Sequence, residues 1–282
     1  MSGTLYVVAT PIGNLEDITL RALRVLREVD VIAAEDTRRT ARLLSHHGIS
    51  TPTVSFHEHN TRARVPQLVS RLEAGESVAV VTDAGTPGVS DPGLELVQAA
   101  IGRHITVDPI PGANAPLTAL IASGFPMVPF TVLGFPPPRS KARTEWLREA
   151  VRIPHAFSFF EAPHRIQATL RDASIVLGER PIIAARELTK VHQEFLRGTA
   201  SELSERLSAP RGEFTLIVGP ATKSSVASEI QLSDAEVAEL FWQITENGGG
   251  SRRQIVTELA KRSGRSAREV YSAIERAKKL VT

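Results

Sequence analysis

One pattern constrains the fold more than any other: before residue 115, short runs rich in Val, Ile and Ala alternate five times with longer segments of helical period. The runs fall at residues 4–9, 31–34, 53–56, 77–81 and 105–109. Between the first two, Leu20, Leu23, Leu26 and Val29 recur at spacing three, and Ala22 and Val25 widen the stripe. A helix from about Thr19 therefore buries one face. Strand and helix in such alternation predict a parallel sheet with helical crossovers. Each run ends in a polar, turn-forming cluster: 10–14, 35–38, 57–60, 83–93 and 111–114. Ligands of open α/β sheets bind outside the carboxyl ends of the strands, so these five loops share the edge that is the candidate site.

The grammar then changes twice. Pro and Gly crowd residues 123–139 and end in Pro136, Pro137 and Pro138, which predicts a stiff connection between domains. Strands are expected at 156–160, 182–185, 195–198 and 214–218, with helices near 144–151, 166–177 and 200–207. The late strands are separated by short gaps, so this sheet should be mixed. After a small, polar stretch at 220–229, only helices are expected. Ser233 with Glu236, Ser251 with Gln254, and Ser266 with Glu269 each write a capping box, giving three short helices. Their inward faces would be Val237, Leu240, Phe241 and Ile244, then Ile255, Leu259 and Ala260, then Val270, Ile274 and Ala277. The chain thus divides into a parallel α/β domain at 1–120, a mixed-sheet α/β domain at 121–222, and a helix-turn-helix-like extension at 230–282.

Several chemistries are excluded. The chain has no Cys, hence no disulfide framework, thiolate nucleophile or Cys-ligated metal, in keeping with a reducing cytosol and a cytoplasmic location. Neither G-x-G-x-x-G nor G-x-x-x-x-G-K-[ST] occurs, so NAD and ATP are unsupported. His57-Glu58-His59 lacks an obvious third ligand and reads as a loop, so no metal is expected. The most apolar stretch, 117–135, is broken by Ser123, Gly124, Pro126 and Pro129, and no membrane span or signal peptide is expected. Lys and Arg total 33 against 31 Asp and Glu, so net charge alone announces no polyanionic partner. The distribution does, because from Gly248 onward nine Lys/Arg face three Glu, a net of +6.

The loops carry the chemistry. Thr10-Pro11-Ile12-Gly13-Asn14 sits between first strand and first helix, where it shelves a ligand that is not a phosphate or simply turns the chain. Residues 82–93 hold three Gly, two Pro and two carboxylates in twelve positions, longer than a plain turn needs, and favour a built binding surface. Residues 111–115 follow the fifth strand with small side chains that admit an adenosine-sized group, or else start a helix with Pro116 at its first position. In the second half, Arg186, Glu187 and Lys190 follow a strand with the side chains needed for substrate orientation or proton transfer, or for a structural ion pair. Arg265 and Arg268 lie where a helix-turn-helix presents side chains to nucleic acid, with Arg252 and Arg253 on the preceding helix.

Together these segments resemble the ribosomal RNA small subunit methyltransferase I family of the tetrapyrrole methylase superfamily. The resemblance runs through Leu5 to Leu15 with Asp17 and Ile18, through Ala34-Glu35-Asp36-Thr37-Arg38, and through Thr82 to Gly93. It continues in Pro111-Gly112-Ala113, Glu161-Ala162-Pro163-His164-Arg165, Ala185-Arg186-Glu187-Leu188-Thr189-Lys190 and Gly212-Glu213. It implies S-adenosyl-L-methionine bound between two α/β domains, a homodimer, and methyl transfer to the ribose 2′-hydroxyl of a cytidine in the decoding region of 16S rRNA in the small ribosomal subunit. By the same resemblance Pro11, Gly13, Gly85, Thr86, Pro87, Gly88 and Val89 border the cofactor, and Ala113, Asn114, Ala115, Phe160, Ala185, Arg186, Phe214 and Thr215 complete its pocket. Thr86 stands where tetrapyrrole-type members often have Asp, which argues against corrin or sirohaem chemistry. Glu187 and Asp83 are the candidate proton acceptors, and Arg186 or Lys190 the candidate phosphate ligands. Two rival readings remain, a small-tetrapyrrole methyltransferase and a non-enzymatic DNA-binding regulator that senses a ligand.

Overall fold

A computed structural model describes residues 2–88, 93–207, 211–221, 234–246, 251–263 and 266–279. The chain forms two compact units, Met1–Pro220 and Ala221–Thr282. In the first, β1 (Thr4–Val8), β2 (Val31–Ala34), β3 (Thr53–Ser55), β4 (Val78–Val81) and β5 (Thr106–Ile110) make an all-parallel sheet of order β3-β2-β4-β1-β5. Helices α1 (Leu20–Glu28), α2 (Thr37–His46), α3 (Thr61–Glu73) and α4 (Leu94–Gly102) are its crossovers. The two-residue period of the strands divides its core into two layers. Leu5, Val31, Ala33, Val78 and Val80 pack on Leu68 and Leu72 of α3 and Leu96 of α4. Val8, Ile32, Ala34, Ala79 and Val81 pack on Ala22, Val25 and Leu26 of α1 and Leu44 of α2. Burial on both faces is why β2 and β4 read as continuous apolar runs.

The connections from adjacent strands β1 and β4 part there, β1 leading into α1 on one face and β4 into α4 on the other. This is a topological switch point, where an open α/β sheet leaves a crevice. The two loops beside it are latched: Thr10 N donates to Gly85 O at 2.9 Å and Gly85 N to Thr10 O at 3.0 Å. Gly85 holds a φ of +83°, a left-handed conformation that glycine adopts without strain.

After α5 (Ala115–Ile121), the second sheet has order β6-β7-β10-β8-β9, from β6 (Phe130–Val132), β7 (Ala156–Glu161), β8 (Ile182–Arg186), β9 (Glu194–Gly198) and β10 (Phe214–Val218). Only β6 and β7 run parallel, so the sheet is mixed, as expected. Strand β6 corrects the reading of residues 123–139 as connection alone. It is a three-residue edge strand whose Pro and Gly neighbours hid its signal. Helices α6 (Ser140–Ala150), α7 (Ile166–Leu177) and α8 (Ala200–Arg206) cover one face around Phe157, Phe159, Phe214 and Leu216. On the other face Ile183, Ala185 and Ile217 pack on Ala119 and Leu120 of α5. Ile12, from the loop after β1, and Ala115, at the start of α5, join that same cluster, so the two sheets share a core where their loop edges meet.

The second unit comprises α9 (Asp234–Glu246), α10 (Arg252–Ser263) and α11 (Ala267–Lys279) around Val237, Phe241, Ile255, Leu259, Val270 and Ile274. Val256 and Ala273 also enter this core. The capping side chains Gln254 and Glu269 accept from the amides of Ser251 and Ser266 at 2.9 and 2.7 Å. Ser233 lies outside the described residues. No described helix is long and apolar enough to cross a membrane.

Candidate functional site

A cavity of about 540 Å³ opens where the loop edges of the two sheets face each other, within the range of small-molecule sites. One wall is Ile12 with Ala84, Gly85 and Thr86 after β4 and Asn114, Ala115 and Pro116 at the start of α5. The Asn114 side chain caps that helix by accepting from Leu117 N at 3.0 Å, and Thr86 Oγ1 donates to Ala113 O at 3.4 Å. Small residues and a capped turn thus leave an open, rigid shelf. The opposite wall is set by strand register: β10 pairs Thr215 with Phe160 of β7 and with Ala185 of β8, aligning the three across neighbouring strands. Phe135 packs against Phe160 with ring centroids 5.2 Å apart and the planes tilted by 40°, giving that wall an aromatic face.

The charge of the lining selects a ligand. Four carboxylates (Glu35, Asp83, Glu161 and Glu213) border the cavity against one guanidinium, Arg39. Three of them are ion-paired, Asp83 to Arg39, Glu161 to Arg165 and Glu213 to Lys190, so the lining offers a phosphate no cationic side chain beyond Arg39 and leaves Glu35 without an ion pair among the described residues. Glu161 is fully buried; it accepts from Thr169 Oγ1 at 2.5 Å and pairs with Arg165 at 3.2 Å. Glu35 and Asp83 are tied across the sheet edge, because Asp83 N donates to Glu35 Oε2 at 3.1 Å and Asp36 N donates to Asp83 Oδ1 at 3.0 Å. Asp83 Oδ2 lies 3.2 Å from Arg39. Hydrogen bonds from the Arg38 guanidinium, then from its backbone amide, hold the Asp36 carboxyl far below the usual carboxylate range; Asp36 also caps α2.

A second cavity, of about 490 Å³, adjoins the first and shares Ile12, Arg39, Asp83, Ala84 and Glu213 with it. Pro11, Gly13, Arg42 and Lys190 line only this one. Gly13 is pressed against the turn after β8: a Cβ there would lie 2.7 Å from Leu188 O and 2.8 Å from Thr189 Oγ1.

The site residues expected from sequence therefore separate. Asp83, Gly85, Thr86, Asn114, Ala115, Phe160, Phe214 and Thr215 line the larger cavity; Pro11, Gly13 and Lys190 line the smaller; Asp83 borders both. Pro87, Gly88, Ala113, Ala185, Arg186 and Glu187 line neither. Ala113 and Ala185 stand behind the wall, the first bonded to Thr86 and the second fully buried. Arg186 pairs with Glu194 at 3.2 Å. Glu187 Oε1 accepts from Lys190 Nζ and from Glu213 N, both at 2.9 Å. Burial pulls the Glu187 carboxyl upward, but these two donors outweigh it and hold it below its ordinary value, which makes it a weaker proton acceptor. Val89 and Arg265 lie outside the described residues. In the second unit Arg252 pairs with Glu275 at 2.8 Å and lies 5.0 Å over the Tyr271 ring, while Arg253 and Arg268 are exposed. His57 sits in a turn where its amide donates to Asn60 Oδ1, and no group of three metal-ligating side chains occurs among the described residues.

Glu35, Arg39, Phe135 and Glu213 line the cavities without having been expected individually as site residues, whereas Ile12 belongs to the loop expected to border the ligand. Glu35 and Arg39 had a signal, since a polar cluster at a strand end marks the site edge. Phe135 had none, because only the folding of the second sheet carries it to Phe160.

The sequence pattern of the tetrapyrrole (corrin/porphyrin) methylases matches residues 4–204. A protein of Halalkalibacterium halodurans described as ribosomal RNA small subunit methyltransferase I is 44% identical over 275 residues, covering 96% of this chain and 94% of its own. The chain belongs to the ribosomal RNA small subunit methyltransferase I family. A second member, from Synechocystis sp., is 43% identical over 274 residues, 95% of this chain and 96% of that one. In the solved structures, uroporphyrin-III C-methyltransferase from Thermus thermophilus, complexed with S-adenosyl homocysteine, shares the fold at a TM-score of 0.55. It is 20% identical and covers 77% of this chain and 97% of that one.

Proposed function

We propose that this protein transfers a methyl group from S-adenosyl-L-methionine to the ribose 2′-hydroxyl of a cytidine in the decoding region of 16S rRNA, acting as a homodimer on the small ribosomal subunit in the cytoplasm. The observation that carries the reading is the pair of adjoining cavities of unlike lining that meet at Asp83. A methyltransferase needs two sites in contact, one for the donor and one for the acceptor.

The larger cavity fits the donor. S-adenosylmethionine supplies an electrophilic methyl on a cationic sulfonium. Glu35, Asp83, Glu161 and Glu213 suit that charge, Thr86, Asn114 and Ala115 leave room for a nucleoside on one wall, and Phe160 and Thr215 close the other. The near-absence of cationic side chains argues against a nucleoside triphosphate there.

The protein contributes alignment and shielding. The latched Thr10 and Gly85 corners fix the junction, and the shared apolar cluster around Ile12 and Ala115 keeps water from the cavity floor. A ribose hydroxyl is a poor nucleophile, so it must pass its proton to an acceptor as its oxygen is methylated. Two carboxylates border both cavities, Asp83 and Glu213; Glu213 is 74% exposed and held by Lys190, so the more sheltered Asp83 takes that proton, while Glu187 borders neither cavity and is spent on Lys190 and Glu213. Glu187 is a positioning residue that fixes Lys190. In the second unit, exposed Arg253 and Arg268 add contacts to rRNA phosphates.

The test uses tritiated S-adenosylmethionine with small subunits isolated from cells lacking this protein, followed by mapping of 2′-O-methyl positions. Label on a single cytidine ribose of 16S rRNA supports the reading; label on a base, or none on the subunit, contradicts it.

A further inference from the structure

The smaller cavity differs from its neighbour in sign. Its lining carries Arg39, Arg42 and Lys190 against Asp83 and Glu213. Arg39 and Arg42 are three residues apart on α2, which brings both to one face of the helix. Lys190 faces them from the turn after β8, with Nζ 2.9 Å from Glu187 and 3.0 Å from Glu213. That turn holds an unusual shape: Glu187 and Thr189 have φ of +51° and +63°, and Thr189 Oγ1 is buried with no hydrogen-bond partner. Non-glycine residues persist in this conformation where surrounding structure enforces it, commonly beside a functional site. Arg42 makes no ion pair among the described residues, and Arg39, with its side chain 63% exposed, is held only by Asp83.

We propose that this cavity is the phosphodiester subsite of the acceptor RNA strand, gripped by Arg39 and Arg42 on one wall and Lys190 on the other. The proposal rests on the methyltransferase reading and adds the residues that seat the strand. A phosphate arriving between the two walls competes with Asp83 for Arg39. Drawing the guanidinium away leaves Asp83 Oδ2 free to take the ribose proton, so the acceptor strand activates its own acceptor group. Arg186, paired with Glu194 and outside both cavities, takes no part.

The test compares the full-length protein with Arg42→Ala and Arg42→Glu. Arg103→Ala serves as control, removing a charge paired with Glu73 away from both cavities. Arg42 lies on the exposed side of α2, so all variants should melt with the wild type. Three quantities are read: binding to isolated small subunits across a salt series, methyl transfer, and S-adenosylmethionine affinity by calorimetry. Arg42→Ala is expected to weaken subunit binding and raise KM by roughly 10-fold and to lower the salt slope by about one, with donor affinity and kcat unchanged. Arg42→Glu should do more, and Arg103→Ala nothing. Wild-type binding and salt slope in both Arg42 variants would overturn the proposal. If the wild type binds subunits and the Arg42 variants lose that binding, the subsite stands even where no methyl is transferred; in that case the reaction assigned above is what fails.

Discussion

Replacing Gly13 by Ala should loosen the junction between the two sheets, and the size of the effect follows from one contact. Gly13 does not hold a left-handed φ, so alanine is not strained there by its own backbone, and any effect comes from what the new methyl meets. It would lie 2.6 Å from Lys190 Cγ, 2.7 Å from Leu188 O and 2.8 Å from Thr189 Oγ1. Lys190 can swing aside. The Leu188 carbonyl belongs to the turn already constrained at Glu187 and Thr189, so it must move by about the difference between 2.7 Å and the 3.4 Å where ordinary contact begins. Overpacking of this kind costs about 1–3 kcal/mol. For a unit of this size that lowers Tm by about 2–12 °C. The same shift displaces Lys190 in the smaller cavity, and misplacement approaching 1 Å costs up to roughly 100-fold in turnover. Thermal melting and single-turnover methyl transfer to small subunits read the two effects separately. A variant that melts and turns over like the wild type would show that the first loop does not press on the turn after β8.

Arg180 is fully buried and donates to the carbonyls of Gly219, Val151, Ile153 and His155 at 2.7–3.0 Å, so Arg180→Met should cost roughly 4 kcal/mol, at about 1 kcal/mol for each acceptor left without its donor; denaturant titration measures it. The turn after β8 should lose part of its stability at both pH extremes. The lowered Glu187 contributes stability above its ordinary value of 4.5 that is lost as pH falls below it. Lys190 is pulled down by burial but raised further by Glu187 and Glu213, so its contribution is present below 10.5 and lost as pH rises beyond. Stability measured against pH should decline at both ends, and Lys190→Met should remove the alkaline decline attributable to this group. Arg253→Ala with Arg268→Ala should weaken subunit binding and reduce its salt dependence while leaving donor affinity intact; an unchanged salt slope would remove these residues from the RNA contact.

The first sheet was legible because its signals are local. Apolar runs such as Val78 to Val81 bury on both faces, and the helix begun at Thr19 buries Ala22, Val25, Leu26 and Val29 of its expected stripe, although Leu20, expected on the same face, is exposed as the first residue of the helix. The edge strand Phe130–Val132 was not, since its three residues sit among Pro and Gly that normally terminate strands. The loops after β1, β4 and β5 could be placed on one edge from topology alone. What sequence could not supply was the division into two cavities. Thr215 reaches Phe160 only through antiparallel register, and Lys190 comes opposite Arg39 and Arg42 only because two sheets from distant segments close on each other. For the same reason Arg186 and Glu187 looked like site residues: they stand at the end of a strand, yet Arg186 is paired with Glu194, and Glu187 lies behind the lining, held by Lys190 and Glu213.

The central claim is that the acid-lined cavity between the sheets holds the methyl donor. A crystal structure with bound S-adenosylmethionine tests it most directly. The account requires density between Thr86 and Ala115 on one side and Phe160 and Thr215 on the other, with the methyl directed toward Asp83. Donor density in the Arg39–Arg42–Lys190 cavity, or on the helical unit, would contradict it.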